Sequence, residues 1–270
     1  MPSGRAFIGA RLRRALLVGV GVAAVSLALA SGALASTTTG NTTTIGNTPP
    51  WSGSTITSGF GYGLPCCTAT YGQTVTVPAT DPVLDSFTFY VQLPTNLIFR
   101  GEVYAWNPAT GNQANNTSGN ATGPALYKSS KMHTTSYNSG FGPFEPITFN
   151  IPDGIPLTAG AQYVLFFTIS KDYAADAPTA GIPGFVGYTA TDTYSGGDWV
   201  FINNGGDTSQ WTTVPWSNQV GLGADDLAFK ATFSRPLPTR KAQCRHGGWK
   251  TYAVFKNQRD CVRFVARDDG

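Results

Sequence analysis

The stretch Ser86-Phe87-Thr88-Phe89-Tyr90-Val91-Gln92-Leu93 decides the fold class of this chain. Phenylalanine, valine or leucine occupies every second position, and polar or amphipathic residues occupy the positions between them. Because successive side chains of a β-strand point to opposite faces, this alternation predicts a strand with one buried face. The aromatic and β-branched residues favour the same conformation.

The same pattern recurs along most of the chain. It is clearest at 97–106 and at 227–233, and shorter candidates lie at 74–77, 125–129, 147–151, 162–170, 185–189 and 199–202. Turns rich in Gly, Pro, Asn and Asp separate these segments, and no helical period interrupts them. We therefore expect residues 51–234 to form an all-β domain, an antiparallel β-sandwich of the jelly-roll type.

The N-terminus has the three parts of an export signal. Four arginines precede an uncharged Ala/Leu/Val-rich run at 15–30, and small-x-small sites follow at 28–30 and 33–35. This predicts a signal peptide over 1–35, cleavage after Ala35 and a secreted or extracellular protein. An uncleaved membrane anchor is the alternative, because 15–35 is just long enough to span a bilayer. Arg13-Arg14 leaves the choice between Sec and twin-arginine export open.

Two short segments flank the predicted sandwich. Residues 36–50 are rich in threonine and poor in apolar residues, which predicts a disordered spacer. Residues 235–242 carry two prolines and three basic residues, which predicts an extended linker. The last segment, 243–270, is too small to bury a core of its own.

Four cysteines suggest how that last segment is held. Cys244 and Cys261 close a short loop, so we expect a structural disulfide around a β-hairpin. Cys66 and Cys67 are adjacent, and the sequence leaves open whether they form a vicinal disulfide or remain thiols.

Charge divides the chain into two unlike regions. Residues 36–234 carry five Lys/Arg against twelve Asp/Glu, a net −7, whereas 235–270 carry nine against three, a net +6. The basic segment either docks on its own acidic domain or binds an anionic partner, such as a cell-wall polysaccharide, another envelope polymer, a lipid head group or nucleic acid. An exported chain seldom meets nucleic acid, so we do not expect that partner. The predicted basic patch is Arg245, Lys250, Lys256, Arg259 and Arg263.

Three aspartates in glycine- and asparagine-rich loops form a weak calcium candidate: Asp192, Asp198 and Asp207. Calcium prefers six to eight oxygen ligands in an irregular geometry, which such loops can provide. The spacing matches no EF-hand loop, and the same residues also build ordinary turns. We expect no other cofactor, because the sequence lacks zinc-type Cys/His spacing.

Aromatic residues near predicted loops and polar strand faces suggest carbohydrate binding, since sugar rings stack on such side chains. The candidates are Tyr104, Trp106, Tyr194, Trp199 and Trp211. Burial in the core of a β-domain is the competing explanation. If the rings instead line an open groove, they form a binding face.

No catalytic residue is predicted. The chain has no Gly-x-Ser-x-Gly elbow for a serine hydrolase. The enzymatic alternative is a glycoside hydrolase that pairs Glu102 with Asp198 or Asp207, whose carboxyls would then lie about 5 to 10 Å apart in a cleft. A purely structural envelope protein is a third possibility. The expected function is a non-catalytic binding or cell-surface protein.

The C-terminal segment resembles a short module of secreted actinobacterial proteins. The similarity rests on Cys244-Arg-His-Gly-Gly-Trp-Lys and on Phe255-Lys-Asn-Gln-Arg-Asp-Cys261-Val-Arg-Phe-Val-Ala, with Arg259 where the module usually has glycine. The preceding domain is similar to exported bacterial β-sandwich proteins, in stretches such as Gly72-Gln-Thr-Val-Thr-Val-Pro and Asp192-Thr-Tyr-Ser-Gly-Gly. These resemblances imply a secreted fate and no particular activity.

Overall fold

The structure is a computed structural model that describes residues 36–39, 42–49, 51–53, 56–61, 68–112, 116–135, 144–175, 184–218, 226–252 and 254–268. The predicted signal peptide and the pair Cys66-Cys67 lie outside the described residues. The predictions made for them stay predictions.

The strands of the described residues are the following: β1 (Ser36–Thr39), β2 (Thr42–Gly46), β3 (Ile56–Phe60), β4 (Thr70–Thr76), β5 (Val83–Gln92), β6 (Arg100–Asn107), β7 (Thr117–Lys128), β8 (Glu145–Pro156), β9 (Gln162–Thr168), β10 (Gly184–Thr189), β11 (Trp199–Ile202), β12 (Trp216–Asn218), β13 (Asp226–Leu227) and β14 (Phe229–Ser234). Short 3₁₀ helices lie at Pro108–Thr110 and Ser170–Asp172, and helix α1 spans Gln210–Thr213.

The strands form two sheets in which every strand pairing is antiparallel. One is a closed barrel in the order β4, β9, β6, β7, β12, β11, sealed by pairing between β11 and β4. The other runs β1, β2, β14, β5, β10, β13, with β8 attached to β5 and β3 to β10. The prediction of an all-β antiparallel fold is confirmed. The finer prediction of a jelly-roll sandwich does not describe the barrel, because six strands close on themselves.

The alternating strands give the molecule two hydrophobic cores. On β6 and β9, Val103, Leu165 and Phe167 join a large cluster with the eight-stranded sheet, which includes Phe87 and Phe89 of the opening stretch. The intervening side chains belong to a second cluster inside the barrel: Tyr104, Trp106, Ala121, Val164, Phe166, Val200, Ile202, Trp211 and Trp216. The barrel wall is therefore apolar on both faces, as for strands covered on both sides.

Gly101 of β6 permits close packing between the barrel and the sheet. A Cβ atom at this position would overlap the ring of Phe149 on β8. Phe149 in turn stacks on Phe87 of β5, with 4.8 Å between ring centroids. The small residue thus lets an aromatic ring lie directly against the barrel backbone.

The threonine-rich segment is not a disordered spacer, and that prediction is wrong. Strand β2 pairs with β14 along its length, and Ile45 is 3% exposed. Threonine favours the strand conformation, and pairing with β14 satisfies the backbone of this segment. The low apolar content misled the prediction because pairing with a neighbouring strand is not visible in composition.

The C-terminal module, defined as residues 235–268, is helical rather than a β-hairpin. It contains α2 (Lys241–Cys244), a 3₁₀ helix (Gly248–Tyr252) and α3 (Gln258–Asp268). The predicted Cys244–Cys261 disulfide is confirmed. The hairpin prediction is wrong because Cys261 and Val265 lie one helical turn apart and are both buried. In the described part of the chain, no helix is long and apolar enough to cross a membrane.

Candidate anion-binding surface

The five aromatic residues predicted to bind sugar are all buried. Tyr104, Trp106 and Trp211 lie inside the barrel, and Tyr194 and Trp199 lie in the large core. Their exposed fractions are between 1% and 8%. The structure therefore corrects the hypothesis of an open aromatic groove in favour of core burial, since a buried ring cannot offer its face to a sugar.

Trp211 shows how the barrel interior is closed. Helix α1 places its indole in the barrel, where Nε1 donates to Oγ1 of Thr70 at 3.3 Å. Its carbonyl oxygen accepts a hydrogen bond from the indole of Trp216 at 2.9 Å. The hydroxyl of Thr70 also contacts Thr168 and Asn204, so the polar end of the indole joins a buried network. The side chain of Trp211 therefore fills part of the barrel interior.

The three predicted calcium ligands do not converge. The backbone of Asp198 pairs with Thr74, whereas the loop of Asp207 is tied through Asn204 to Thr70 at the other end of β4. Thr70 and Thr74 are four residues apart along β4, so these two contacts lie about 13 Å apart. Asp192 is exposed in the loop after β10. No group of three or more His, Cys, Asp or Glu among the described residues is placed to hold a metal.

Asp207 has a structural role instead. Its carboxylate accepts hydrogen bonds from the backbone N–H and hydroxyl of Ser209 and from the amide of Gln210, at 3.1, 2.6 and 3.0 Å. These bonds hold the pKa of Asp207 below its ordinary value. The aspartate stabilises the turn that leads into α1, as expected for Asp at a helix entry.

Asp226 organises the loop that contains Asp192. Its buried carboxylate accepts the backbone N–H groups of Thr193 and Tyr194, both at 2.9 Å, and the amide of Gln73 at 2.9 Å. Burial raises the pKa of Asp226 to about 7, although these hydrogen bonds act in the opposite direction. The buried carboxylate of Asp226 thus holds the oxygen-rich loop in place.

Glu102 lies inside the barrel with its charge paired. Its carboxylate is completely buried and forms an ion pair with Lys171, whose Nζ also lies 5.6 Å from the ring centroid of Trp211. Burial, followed by the charge of Glu102, raises the pKa of Tyr104 to about 12. Glu102 is thus buried in the barrel, whereas the carboxylate of Asp207 is exposed and bound to its own turn. This arrangement does not support the predicted pairing of Glu102 with Asp207.

Two further buried acids of the body, residues 36–234, have cationic partners. Asp172 accepts hydrogen bonds from Arg100 at 2.8 Å and lies 2.9 Å from Nζ of Lys131. Burial alone would raise the pKa of Asp172, but these two cations hold it below its ordinary value. Asp81 is paired with Arg235 of the module at 3.0 Å.

The predicted basic patch has a different environment. Its five residues are all exposed: Arg245, Lys250, Lys256, Arg259 and Arg263. Within the described ranges, none of the five forms an ion pair, and the same holds for Arg267. We call these six residues the basic surface. Unlike the predicted sugar-binding aromatics, it is accessible to solvent.

Helix α3 aligns part of the basic surface into a stripe. Arg259, Arg263 and Arg267 follow one another at intervals of four residues, so they lie on one side of the helix. The buried face of the same helix carries Cys261 and Val265, which pack with Cys244. Like charges at this spacing destabilise a helix by about 0.2 to 0.5 kcal/mol per pair.

A cavity of about 220 Å³ adjoins the stripe. It is lined by Val254, Phe255, Asp260, Arg263, Phe264 and Arg267. The rings of Phe255 and Phe264 lie 5.4 Å apart, and Phe255 also contacts Tyr252 at 6.0 Å. The carboxylate of Asp260 accepts the backbone N–H of Lys256 at 3.2 Å. Two guanidinium groups, one carboxylate and an aromatic wall therefore meet at one depression.

Sequence reasoning missed Arg267 and the two phenylalanines of this cavity. The four-residue spacing of Arg259, Arg263 and Arg267 indicates one side of a helix. The prediction of a β-hairpin did not take this spacing into account. Comparison of the chain with protein-family models, curated proteins and solved structures found no match. The function is therefore inferred from the residues themselves.

Proposed function

We propose that this is a secreted, non-catalytic binding protein that attaches to an anionic polymer of the cell envelope through its C-terminal module. The observation that carries the proposal is the basic surface, six exposed cations for which the described structure records no ion pair. Exposed charges of one sign attract an oppositely charged partner and increase the rate of encounter.

An external partner is favoured over the protein's own acidic body. The contact between module and body uses Arg235, whose guanidinium pairs with Asp81 and also donates to the carbonyl of Thr251 at 2.8 Å. Other acids of the body are already engaged: Glu102 and Asp172 pair with body cations, and Asp226 is buried. The described structure records no ion pair between these acids and the basic surface, so the basic surface remains available.

A polyanion fits this surface better than a neutral polysaccharide. The five aromatic side chains predicted to stack on neutral sugars are in the two cores of the body. The accessible groups are guanidinium and ammonium donors, which bind phosphate and carboxylate oxygens. The predicted signal peptide brings the chain to the compartment where an envelope polymer is present.

The proposal is tested by co-sedimentation of the mature protein with purified cell walls and with a soluble polyanion. The double variant Arg259→Glu/Arg263→Glu should weaken binding at least 10-fold at low salt, and about 0.3 M salt should weaken binding of the unaltered protein, because screening shortens the range of charge attraction. The control is Lys128→Glu, which reverses an exposed cation of the body. Equal binding by all three proteins would contradict the proposal.

A further inference from the structure

The cavity beside α3 contains more than positive charge. Arg263 and Arg267 stand one helical turn apart on one wall, and Phe255 and Phe264 form an aromatic wall. Guanidinium groups bind phosphate oxygens through paired hydrogen bonds. Two such groups on one helix face can contact the same phosphate or two oxygens of one phosphodiester.

Asp260 restricts the ligand further. A carboxylate accepts hydrogen bonds and repels a second anion, so a purely anionic ligand leaves this side of the cavity unsatisfied. Its one recorded bond within the described residues is from the N–H of Lys256, and a carboxylate has capacity for several donors. Hydroxyl groups of a polyol or a sugar are suitable donors.

From these groups we infer that the cavity binds one phosphorylated polyol or sugar unit. The phosphate lies between Arg263 and Arg267, a hydroxyl group donates to Asp260, and the carbon face of the unit packs on the phenylalanine wall. The volume of about 220 Å³ is below the roughly 300 to 1,000 Å³ of pockets for drug-sized ligands, which suits a single unit of a polymer. The inference rests on the proposed function, because it names the polymer as phosphodiester-linked.

The first test measures binding of small probes to the mature protein by NMR titration or calorimetry. Glycerol 3-phosphate and glucose 1-phosphate should bind more tightly than inorganic phosphate, and uncharged glucose should not bind. Arg263→Gln and Arg267→Gln should each weaken probe binding about 10-fold, because each removes a charge-assisted hydrogen bond. Asp260→Asn should reduce the preference for hydroxylated phosphates over inorganic phosphate.

The matched control is Arg259→Gln, which removes a cation from the same helix outside the cavity. It should weaken binding to the polymer but leave probe affinity within about twofold. Equal loss of probe binding in Arg259→Gln and Arg263→Gln would overturn the site, because diffuse charge would then explain the result. Circular dichroism of each variant establishes that α3 is intact.

A second arm separates the two sources of this chemistry. A soluble poly(glycerol phosphate) and vesicles containing phosphatidylglycerol both present a glycerophosphate unit. We expect the soluble polymer to compete with the small probes at the cavity and the vesicles not to do so. Polymer binding that the probes do not displace would refute the site and leave the proposed function standing, whereas absence of polymer binding would refute the proposed function. Competition by vesicles alone would assign the chemistry to a lipid.

Discussion

The body and the C-terminal module treat charge in opposite ways. In the body, Glu102 and Asp172 are almost completely buried, and each has a lysine or arginine within ion-pair distance. In the module, the basic surface is exposed, and its cations form no ion pair with the described residues. Buried charges require partners to be tolerated at all, while exposed charges contribute little to folding. The buried charges of the body therefore serve the fold, and we propose that the exposed cations of the basic surface serve recognition.

The two regions also differ in how they are held together. The body has two aromatic cores, and many of their side chains are inaccessible to solvent. The fully buried apolar set of the module is Cys244, Cys261 and Val265, with partly buried aromatics around it. Small domains with such limited cores depend on a covalent link.

The largest expected effect is on the buried pair of the body. Lys171→Met leaves the carboxylate of Glu102 inside the barrel without a cation, which should lower the free energy of unfolding by about 3 to 5 kcal/mol. Urea unfolding followed by tryptophan fluorescence measures it. The control Lys171→Met/Glu102→Gln removes both charges and should recover most of the loss. If the double variant is as unstable as the single one, the pair does not have the role described.

The second largest expected effect is that Asp226 makes the free energy of unfolding depend on pH. Its pKa is about 7 in the folded protein against an ordinary value of 3.8, so its contribution to stability is fully present below pH 3.8. That contribution is lost as the pH rises from 3.8 to about 7, because the unfolded state loses its proton first. The total loss of unfolding free energy is about 4 kcal/mol.

Urea titrations at several pH values, compared with Asp226→Asn, isolate this group. Asp172 and Asp207, whose pKa values are lowered, contribute in the opposite direction and titrate in both proteins. The difference in unfolding free energy between the two proteins should therefore change between pH 4 and pH 7. A constant difference over that range would contradict the assignment.

Removal of the Cys244–Cys261 disulfide should destabilise the module and leave the body unchanged. Cys244→Ser/Cys261→Ser opens a link between residues 17 apart in sequence, and removal of such a link costs about 3 kcal/mol. The module should lose its helical circular dichroism. The denaturant concentration at which the barrel unfolds should stay the same as in the unaltered protein. A persistent helical signal at 25 °C would show that the small core is sufficient.

The smallest effect concerns the arginine stripe itself. Arg259→Gln removes a repulsion with Arg263 and a cation from the first turn of α3, where the helix dipole disfavours positive charge. The module should become more stable by about 0.3 to 0.5 kcal/mol while polymer binding weakens. Thermal melting of the helical signal measures the first change. A less stable variant would indicate that Arg259 supports the fold.

Much of the fold could be predicted from local pattern. The opening stretch lies within β5, and the segments at 147–151, 162–170, 185–189 and 199–202 coincide with strands or nearly so. Strands β1, β2, β3 and β12 were not anticipated, because their sequences lack a clear apolar alternation. Barrel closure depends on pairing between β11 and β4, which are more than a hundred residues apart, and no local pattern reports such a contact.

The candidate site was predictable in charge and not in shape. The split of charge between body and module, and the Cys244–Cys261 pair, follow from composition and spacing. The aromatic residues were misassigned because a tryptophan in a β-rich chain has the same local signature whether it lines a groove or fills a barrel. Only the packing of Trp211 against Thr70 and Trp216 distinguishes the two.

The strand periodicity, the acidic body, the basic C-terminal segment and the loop between Cys244 and Cys261 all follow from the order of the amino acids. These are local or additive properties, and each can be counted along the chain. Tertiary structure alone decided that six strands close around Glu102 and Lys171, that the C-terminal segment is helical, and that Arg263, Arg267 and Phe255 meet at one cavity. These features require contacts between distant residues, and their stability comes from burial and pairing that exist only after the chain has folded.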